Sequence, residues 1–394
     1  MQIGVDACCW SNRRGFGRFT RELLKALIAI DSSNEYRLFL DQQSATIQDL
    51  PKTANIVIVP THVSPTEAAS ASGHRSLGDL WAMTRAVLKH KLDLFFFPAI
   101  YSYFPVLNRA PIAITIHDMI PEDHPEAVFP DKRRLFFWKM KEFAALRQAD
   151  IVVTVSNHSK QQIVRTCRLK QSRVRVVSEA AGDAFEVLPE NQRTETVLRT
   201  YGLHDHSRFL LYVGGISPHK NLKTLVDAFH RLIADPIFSD IKLVLVGDYE
   251  TDSFFSDYPA LKSKVDQLDL SDKVLFTGFV EDADLAVLYN AASLVVVPSL
   301  QEGFGLPAME AMACGAAVAS SSAGSLPEVL GEAGRFFDPY SPDDMLNVIR
   351  SVLSDSVLRE SMKRAGLERA KQFRWETAAG QMLAIFNELI TQKV

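Results

Sequence analysis

The densest set of chemically useful residues is the stretch Pro298-Ser-Leu-Gln-Glu-Gly-Phe-Gly-Leu-Pro-Ala-Met-Glu310, which follows the apolar run Leu294–Val297. Gly303 and Gly305 let the backbone turn sharply and come close to a ligand. Pro307 suits the first position of a helix, and amides exposed at a helix start attract anions such as phosphate. Glu302 and Glu310 bracket the loop, Glu310 in the first helical turn, and each carboxylate is a two-pronged acceptor for vicinal hydroxyls. Loop amides on a diphosphate, Glu310 on a ribose and Glu302 on a hexose would read a nucleotide sugar end to end. A plain helix entry with an acidic first turn accounts for the same residues without any ligand.

Three further stretches carry candidates. Asn12–Arg18 holds Gly15 and Gly17 but lacks the third spaced glycine of a dinucleotide fingerprint, so it argues against NAD and also reads as an ordinary strand-to-helix turn. His117, with Asp118 beside it, closes the apolar run Ile112–Ile116. It reads as a packed or capping histidine, or as a donor and acceptor able to work near neutral pH. Lys132–Lys141, KRRLFFWKMK, mixes cations with rings. It reads either as a face for a membrane surface or an anionic acceptor, or as a core helix with Phe136, Phe137 and Met140 buried. No metal site is expected. Asp282-Ala-Asp284 lies at a helix start, where acids oppose the dipole, and Cys8, Cys9, Cys167 and Cys314 lack zinc-ligand spacing.

These residues need strand ends to hold them. Strands are expected at Gln2–Ala7, Tyr36–Leu40, Asn55–Val59, Leu94–Pro98, Ile112–Ile116, Ile151–Val155 and Arg173–Val177, then at Phe209–Val213, Lys242–Val246, Val274–Thr277, Leu294–Val297 and Ala317–Ser320. Several are solid apolar runs, as in parallel strands covered on both faces. Helical periodicity fills Arg18–Ile30, Ser76–His90, Lys132–Arg147, Leu222–Ile233, Ala308–Ala313, Pro342–Ser354, Val357–Gln372 and Glu376–Ile390. The alternation predicts an α/β fold of two doubly wound domains, 1–187 and 188–375, with a last helix over 376–394 packing back on the first. Such domains bind ligands in a cleft at the carboxyl ends of their strands.

Composition agrees with that frame. The chain has 394 residues, 47% hydrophobic and 23% charged, an ordinary globular balance for two domains. Net charge is −4, which gives no reason to expect nucleic acid. Residues 1–185 carry 24 Lys+Arg against 18 Asp+Glu and the rest 19 against 29. The first half therefore reads either as a face for an anionic partner, a phosphorylated acceptor or a membrane surface, or as ordinary surface variation. The opening MQIGVDACCW reads as a strand rather than a signal peptide, and no run reaches the 18–20 apolar residues that span a bilayer. A cytoplasmic protein, peripheral at the inner face of the membrane through residues 132–141, is the expectation.

Seven motifs in order resemble a known family. They are the glycine loop near residue 15, TIHDMIPEDHPE, VTVSNHSK, YVGGISPHKNL, VLFTGFV, the segment EGFGLPAMEAMACG with its E-x7-E spacing from Glu302 to Glu310, and FRWETAAG. Together they resemble the GT4 glycosyltransferases, which are retaining, metal-independent enzymes of the GT-B fold, two Rossmann-like domains facing a central cleft. The resemblance implies His117 beside the donor sugar, Lys220 on the leaving phosphate and Glu302 on the hexose. It also implies donor contacts from Gly15, Gly17, Gly214, Gly215, His219, Val280, Gly303, Phe304, Gly305, Leu306 and Glu310. Ser156 of VTVSNHSK matches a serine at the cleft edge and equally suits a helix cap. One departure stands out. Many relatives carry an arginine where this chain has Gly215, and others where it has His219, so one of the two usual cations is missing or replaced by histidine.

The resemblance thus implies transfer of a hexose from a nucleoside-diphosphate sugar, UDP-hexose ahead of GDP-mannose. The acceptor would be a hydroxyl of a glycan or lipid-linked acceptor in bacterial polysaccharide synthesis, without cofactor or metal. A phosphorylase, an epimerase and a non-catalytic nucleotide-sugar binder are the rivals. A product assay without acceptor separates the epimerase, and turnover itself separates the binder.

Overall fold

The computed structural model describes residues 1–42, 44–46, 49–63, 76–129, 131–189, 192–204, 207–249 and 256–391. They form two compact units, 1–179 with 374–391, and 180–249 with 256–373. The sequence placed the division at 187/188.

In the first unit seven strands are parallel: β1 (Gln2–Asp6), β2 (Glu35–Asp41), β3 (Asn55–Val59), β4 (Leu94–Phe97), β5 (Ile112–Thr115), β6 (Ile151–Thr154) and β7 (Val174–Val176). Their order is β3-β2-β1-β4-β5-β6-β7, which reverses direction between β1 and β4. Side chains alternate faces along a strand, and the Phe-Phe-Phe run of β4 uses both. Phe95 and Phe97 pack with Phe104, Ile114 and Ile163 on one side. Phe96 meets Phe386 of the helix Trp375–Thr391 on the other. That last helix also sets Trp375 against Phe19 of the helix Gly15–Ile30. Each fully buried ring contributes about 1.5–3 kcal/mol.

The second unit repeats the plan. Strands β8 (Phe209–Val213), β9 (Lys242–Val246), β10 (Val274–Gly278), β11 (Leu294–Val297), β12 (Val318–Ser321) and β13 (Arg335–Phe337) are parallel in the order β10-β9-β8-β11-β12-β13. The direction reverses between β8 and β11, the point where open α/β sheets take ligands. Leu225, Phe229 and Leu232 on one stripe of the helix Leu222–Ile233 close the core over Leu243, Leu245 and Val296.

Several expectations shift. The first helix begins at Gly15 rather than Arg18, so both loop glycines lie in its first turn. The helix after β11 begins at Leu306, ahead of Pro307, which moves Glu310 from the first turn to the second. Strand β13 and the helices Gln192–Thr200 and Tyr258–Gln267 were not expected, and the helix Asn157–Thr166 only through the capping alternative for Ser156. They are short or strongly polar, and the helix Asn157–Thr166 buries only Ser159 and Ile163.

Candidate active site

In the second unit, the loop after β8 and the loop after β11 meet at the reversal point. Lys220, at the end of the short turn Pro218–Lys220, reaches across to the second loop and donates to Glu302 Oε1 at 2.6 Å. Ser299 Oγ donates to the same oxygen at 2.6 Å. The Ser325 hydroxyl and amide hold the Glu302 carbonyl at 3.1 and 3.3 Å. With Oε1 doubly engaged, Oε2 is the Glu302 oxygen left to bind a hydroxyl. The ammonium and the carboxylate keep only 16% and 11% of their side-chain exposure, so their charges act through a medium far less screening than bulk water.

The other positions of the second unit that the resemblance singled out lie in the loops and helix starts after β8, β10 and β11. Gly214 and Gly215 follow β8 directly, and Tyr212 Oη donates to the Gly215 carbonyl at 2.8 Å. His219 is nearly buried, and its carbonyl accepts from the Leu300 amide at 2.8 Å. Gly305 precedes the helix Leu306–Ala313 with φ +97°, and a Cβ there would sit 2.7 Å from Leu326 Cδ2, so only glycine fits. Gly303, Phe304 and Leu306 are buried, and Phe304 packs on Phe373. Glu310 is also buried and accepts from Tyr289 Oη at 3.0 Å. Val280, just past β10, is buried as well.

The first unit brings together a different set. His117, past β5, sets Nε2 3.1 Å from the Pro98 carbonyl and Nδ1 3.4 Å from Glu179 Oε1, with the Phe19 ring edge-on at 4.8 Å. Both of its nitrogens therefore face acceptors. Gly17 is required: a Cβ there would lie 2.0 Å from the Asn12 carbonyl oxygen. Gly15 is exposed at the start of the helix. Next to it Phe16 packs on Tyr101, which packs on Trp138. Trp138 donates to Glu122, whose carboxyl is pushed up to about 8 by burial and by the neighbouring Glu142 and Asp118 charges. Burial pushes the Tyr101 phenol up too, with Asp118 and Glu122 adding to it.

Other candidates resolve more simply. Ser156 Oγ accepts from the Ser159 amide and caps the helix Asn157–Thr166, as the capping alternative has it. Asp282 and Asp284 lie in the first turn of the helix Asp282–Ala291, with Arg193 3.7 Å from Asp284. Among the described residues no three His, Cys, Asp or Glu side chains are grouped to hold a metal ion. On the helix Lys132–Gln148 the core reading fails: Phe136, Phe137 and Met140 are 60%, 55% and 54% exposed, and Phe143 67%. Trp138 and Ala145 are the buried residues of that helix.

Sequence reasoning missed Glu179, Ser299, Ser325 and Asn221. Asn221 carried a signal, because an asparagine before the apolar start of Leu222–Ile233 marks a helix cap. Glu179 sits in VVSEAAG, an acid in an apolar stretch. Ser299 and Ser325 have no comparable mark.

Comparison with known proteins fits both halves. The model of Glycosyltransferase Family 4 matches residues 13–180, and that of Glycosyl transferases group 1 matches residues 194–369. The chain belongs to glycosyltransferase family 4. This family-4 chain is 31% identical over 276 residues to a serotype-specific mannosyltransferase of Escherichia coli, covering 70% of the chain. It spans about a third of that relative's length, 33%. It is 29% identical to the O-antigen chain mannosyltransferase B of Escherichia coli, covering 95% of the chain and 96% of the relative. In fold it resembles sucrose-phosphate synthase from Thermosynechococcus elongatus, with TM-score 0.76 and 22% identity over all of both chains. A second neighbour is the Anabaena protein HepE in complex with UDP and glucose, with TM-score 0.72 and 20% identity over 98% of this chain and 99% of that one. The two sheets are the Rossmann-like pair of the GT-B fold.

Proposed function

We propose that this chain transfers a hexosyl group, with retention of configuration and without a metal, from a nucleoside-diphosphate sugar to a hydroxyl of a glycan or lipid-linked acceptor in bacterial polysaccharide synthesis. The observation that carries the reading is the Lys220–Glu302 pair at the reversal point of the second sheet. As the sugar–phosphate bond breaks, negative charge builds on the departing diphosphate. A fixed ammonium and the backbone amides of Gly303–Leu306 stabilise that charge where it develops. Glu302 Oε2 takes hydroxyls of the hexose, Glu310 those of the ribose, and His117 orients the sugar. The departing phosphate itself takes the acceptor proton, since no carboxylate is assigned as an inverting base. The metal-free reading is supported by Asp282 and Asp284, which serve a helix start.

The mannosyltransferase relatives favour mannose as the sugar, whereas the UDP-bound neighbour of the fold keeps a UDP-hexose in view. The face formed by Phe136, Phe137, Met140 and Phe143 among Lys132, Arg133 and Lys139 supports a peripheral contact with an anionic membrane. Among the described residues no helix is long and apolar enough to cross one.

Thermal unfolding with UDP, GDP and ADP in EDTA tests the donor site. A nucleotide at about 100 times its dissociation constant adds about 2.7 kcal/mol and raises the melting temperature by several degrees. A rise with one nucleotide fixes the base. No rise with any of them, before or after added magnesium, removes the assignment of Lys220 and the Glu302–Glu310 loop.

A further inference from the structure

We infer that Asn221 is the positioning residue of the Lys220–Glu302 pair, an inference that rests on the role proposed above for Lys220. Asn221 has φ 59° and ψ 31° in the left-handed region, which asparagine and glycine tolerate best. Its Nδ2 donates to the Pro298 carbonyl at 3.1 Å and to the Pro339 carbonyl at 2.8 Å. Its Oδ1 accepts from Thr224 Oγ1 at 2.6 Å. One side chain therefore joins the loop after β8 to the loops after β11 and β13, and to the first turn of the following helix.

The placement decides what this does. Lys220 is the residue before Asn221, and Pro298 opens the loop that carries Ser299 and Glu302. On the other side of Lys220, the His219 carbonyl accepts from the Leu300 amide of that same loop. The backbone of Lys220 is thus tied from both neighbours to the loop that bears its partner. A cation held this way meets developing charge without first having to be reoriented. The amide is the chemistry needed here: two donors for two carbonyls and one acceptor for a hydroxyl, from a residue at ease with positive φ. Glycine keeps the backbone and loses all three bonds. Aspartate keeps the backbone and the Thr224 bond but turns a carboxylate toward two carbonyl oxygens.

Turnover with GDP-mannose and UDP-glucose is measured for the unsubstituted chain, Asn221→Gly, Asn221→Asp, Lys220→Ala and the Lys220→Ala/Asn221→Gly double variant. Melting temperatures are taken with and without GDP and UDP. Asn221→Gly is expected to lower kcat about ten- to a hundredfold with the donor KM little changed, and Asn221→Asp to lower it further. In the Lys220→Ala background, Asn221→Gly is expected to add less than about twofold, because the residue acts through the lysine. Nucleotide-induced melting shifts should show the same non-additivity. An unchanged kcat in a folded Asn221→Gly, or losses that multiply in the double variant, overturns the inference and leaves the proposed function standing. Lys220→Ala without effect, or an unsubstituted chain with neither turnover nor a nucleotide shift, overturns both.

Discussion

The two sheets share one plan, parallel strands whose order reverses once, yet they furnish that reversal differently. In the second unit the loops after β8 and β11 supply opposite charges that meet at 2.6 Å, with the Ser299 hydroxyl fixing the carboxylate and the Ser325 hydroxyl the backbone carbonyl of the same glutamate. In the first unit the same place holds packed groups: Phe16 on Tyr101, and Cys9 Sγ 3.2 Å from Ser102 Oγ. Its buried polar pair, His117 with Glu179, comes from farther along the sheet, past β5 and β7. A fold supplies positions, and the side chains placed there supply the chemistry. Under the proposed function the anion-binding work falls to the second unit and His117 of the first is the orienting residue; the first unit also bears, on its helix Lys132–Gln148, an exposed basic and aromatic face.

That division of labour can be broken by experiment. Lys220→Ala should lower kcat about 10²- to 10³-fold and also diminish the nucleotide-induced rise in melting temperature. His117→Ala should lower kcat about ten- to a hundredfold, the scale of a lost hydrogen bond to a charged or developing-charge group, while leaving the nucleotide-induced rise intact. Equal loss of that rise in both variants would contradict the contrast. Exchanging Phe136 and Phe137 for glutamate should weaken co-sedimentation with vesicles containing anionic lipid about tenfold or more, because apolar insertion and charge attraction fall together. Transfer to a soluble acceptor should persist, and unchanged vesicle binding would remove the membrane assignment.

The smallest effect concerns pH. Glu122 keeps its proton in the folded chain up to about 8, against an ordinary 4.5. Between those values the unfolded chain binds fewer protons than the folded one, so this group's contribution to stability falls as pH rises through that window. Glu122→Gln should flatten that fall in urea melts of the protein from pH 5 to 9. An unaltered slope would mean the carboxyl is already ionised at neutrality.

Much of the frame could be read directly from the residues. Runs such as Leu94–Phe97 and Leu294–Val297 announce themselves as strands because a solid apolar stretch of that length suits a parallel strand covered on both faces. Strand β13 escaped because Arg-Phe-Phe has no run to detect, and Gln192–Thr200 because its residues are mostly polar. Within the site, Lys220 and Glu302 were legible as types at loop positions. Their contact was not, since 82 residues separate them and only the strand order brings their loops together. Glu179 and Asn221 act through bonds to groups distant in sequence, which no local pattern records. The exposure of Phe136, Phe137 and Met140 likewise depended on what packs beside their helix, a tertiary fact.

The helix Trp375–Thr391 carries a consequence for how the chain is made. It covers Phe19 and Phe96 in the first unit, although the whole of the second unit precedes it in the chain. On the ribosome the first unit would therefore wait with that face of its sheet bare until the helix Trp375–Thr391 emerges. The second unit, almost contiguous in sequence, can close first. Synthesis from the amino terminus ordinarily completes domains in order; here the domain begun first is finished last. Until that helix is made, the apolar face around Phe19 and Phe96 stays open to water.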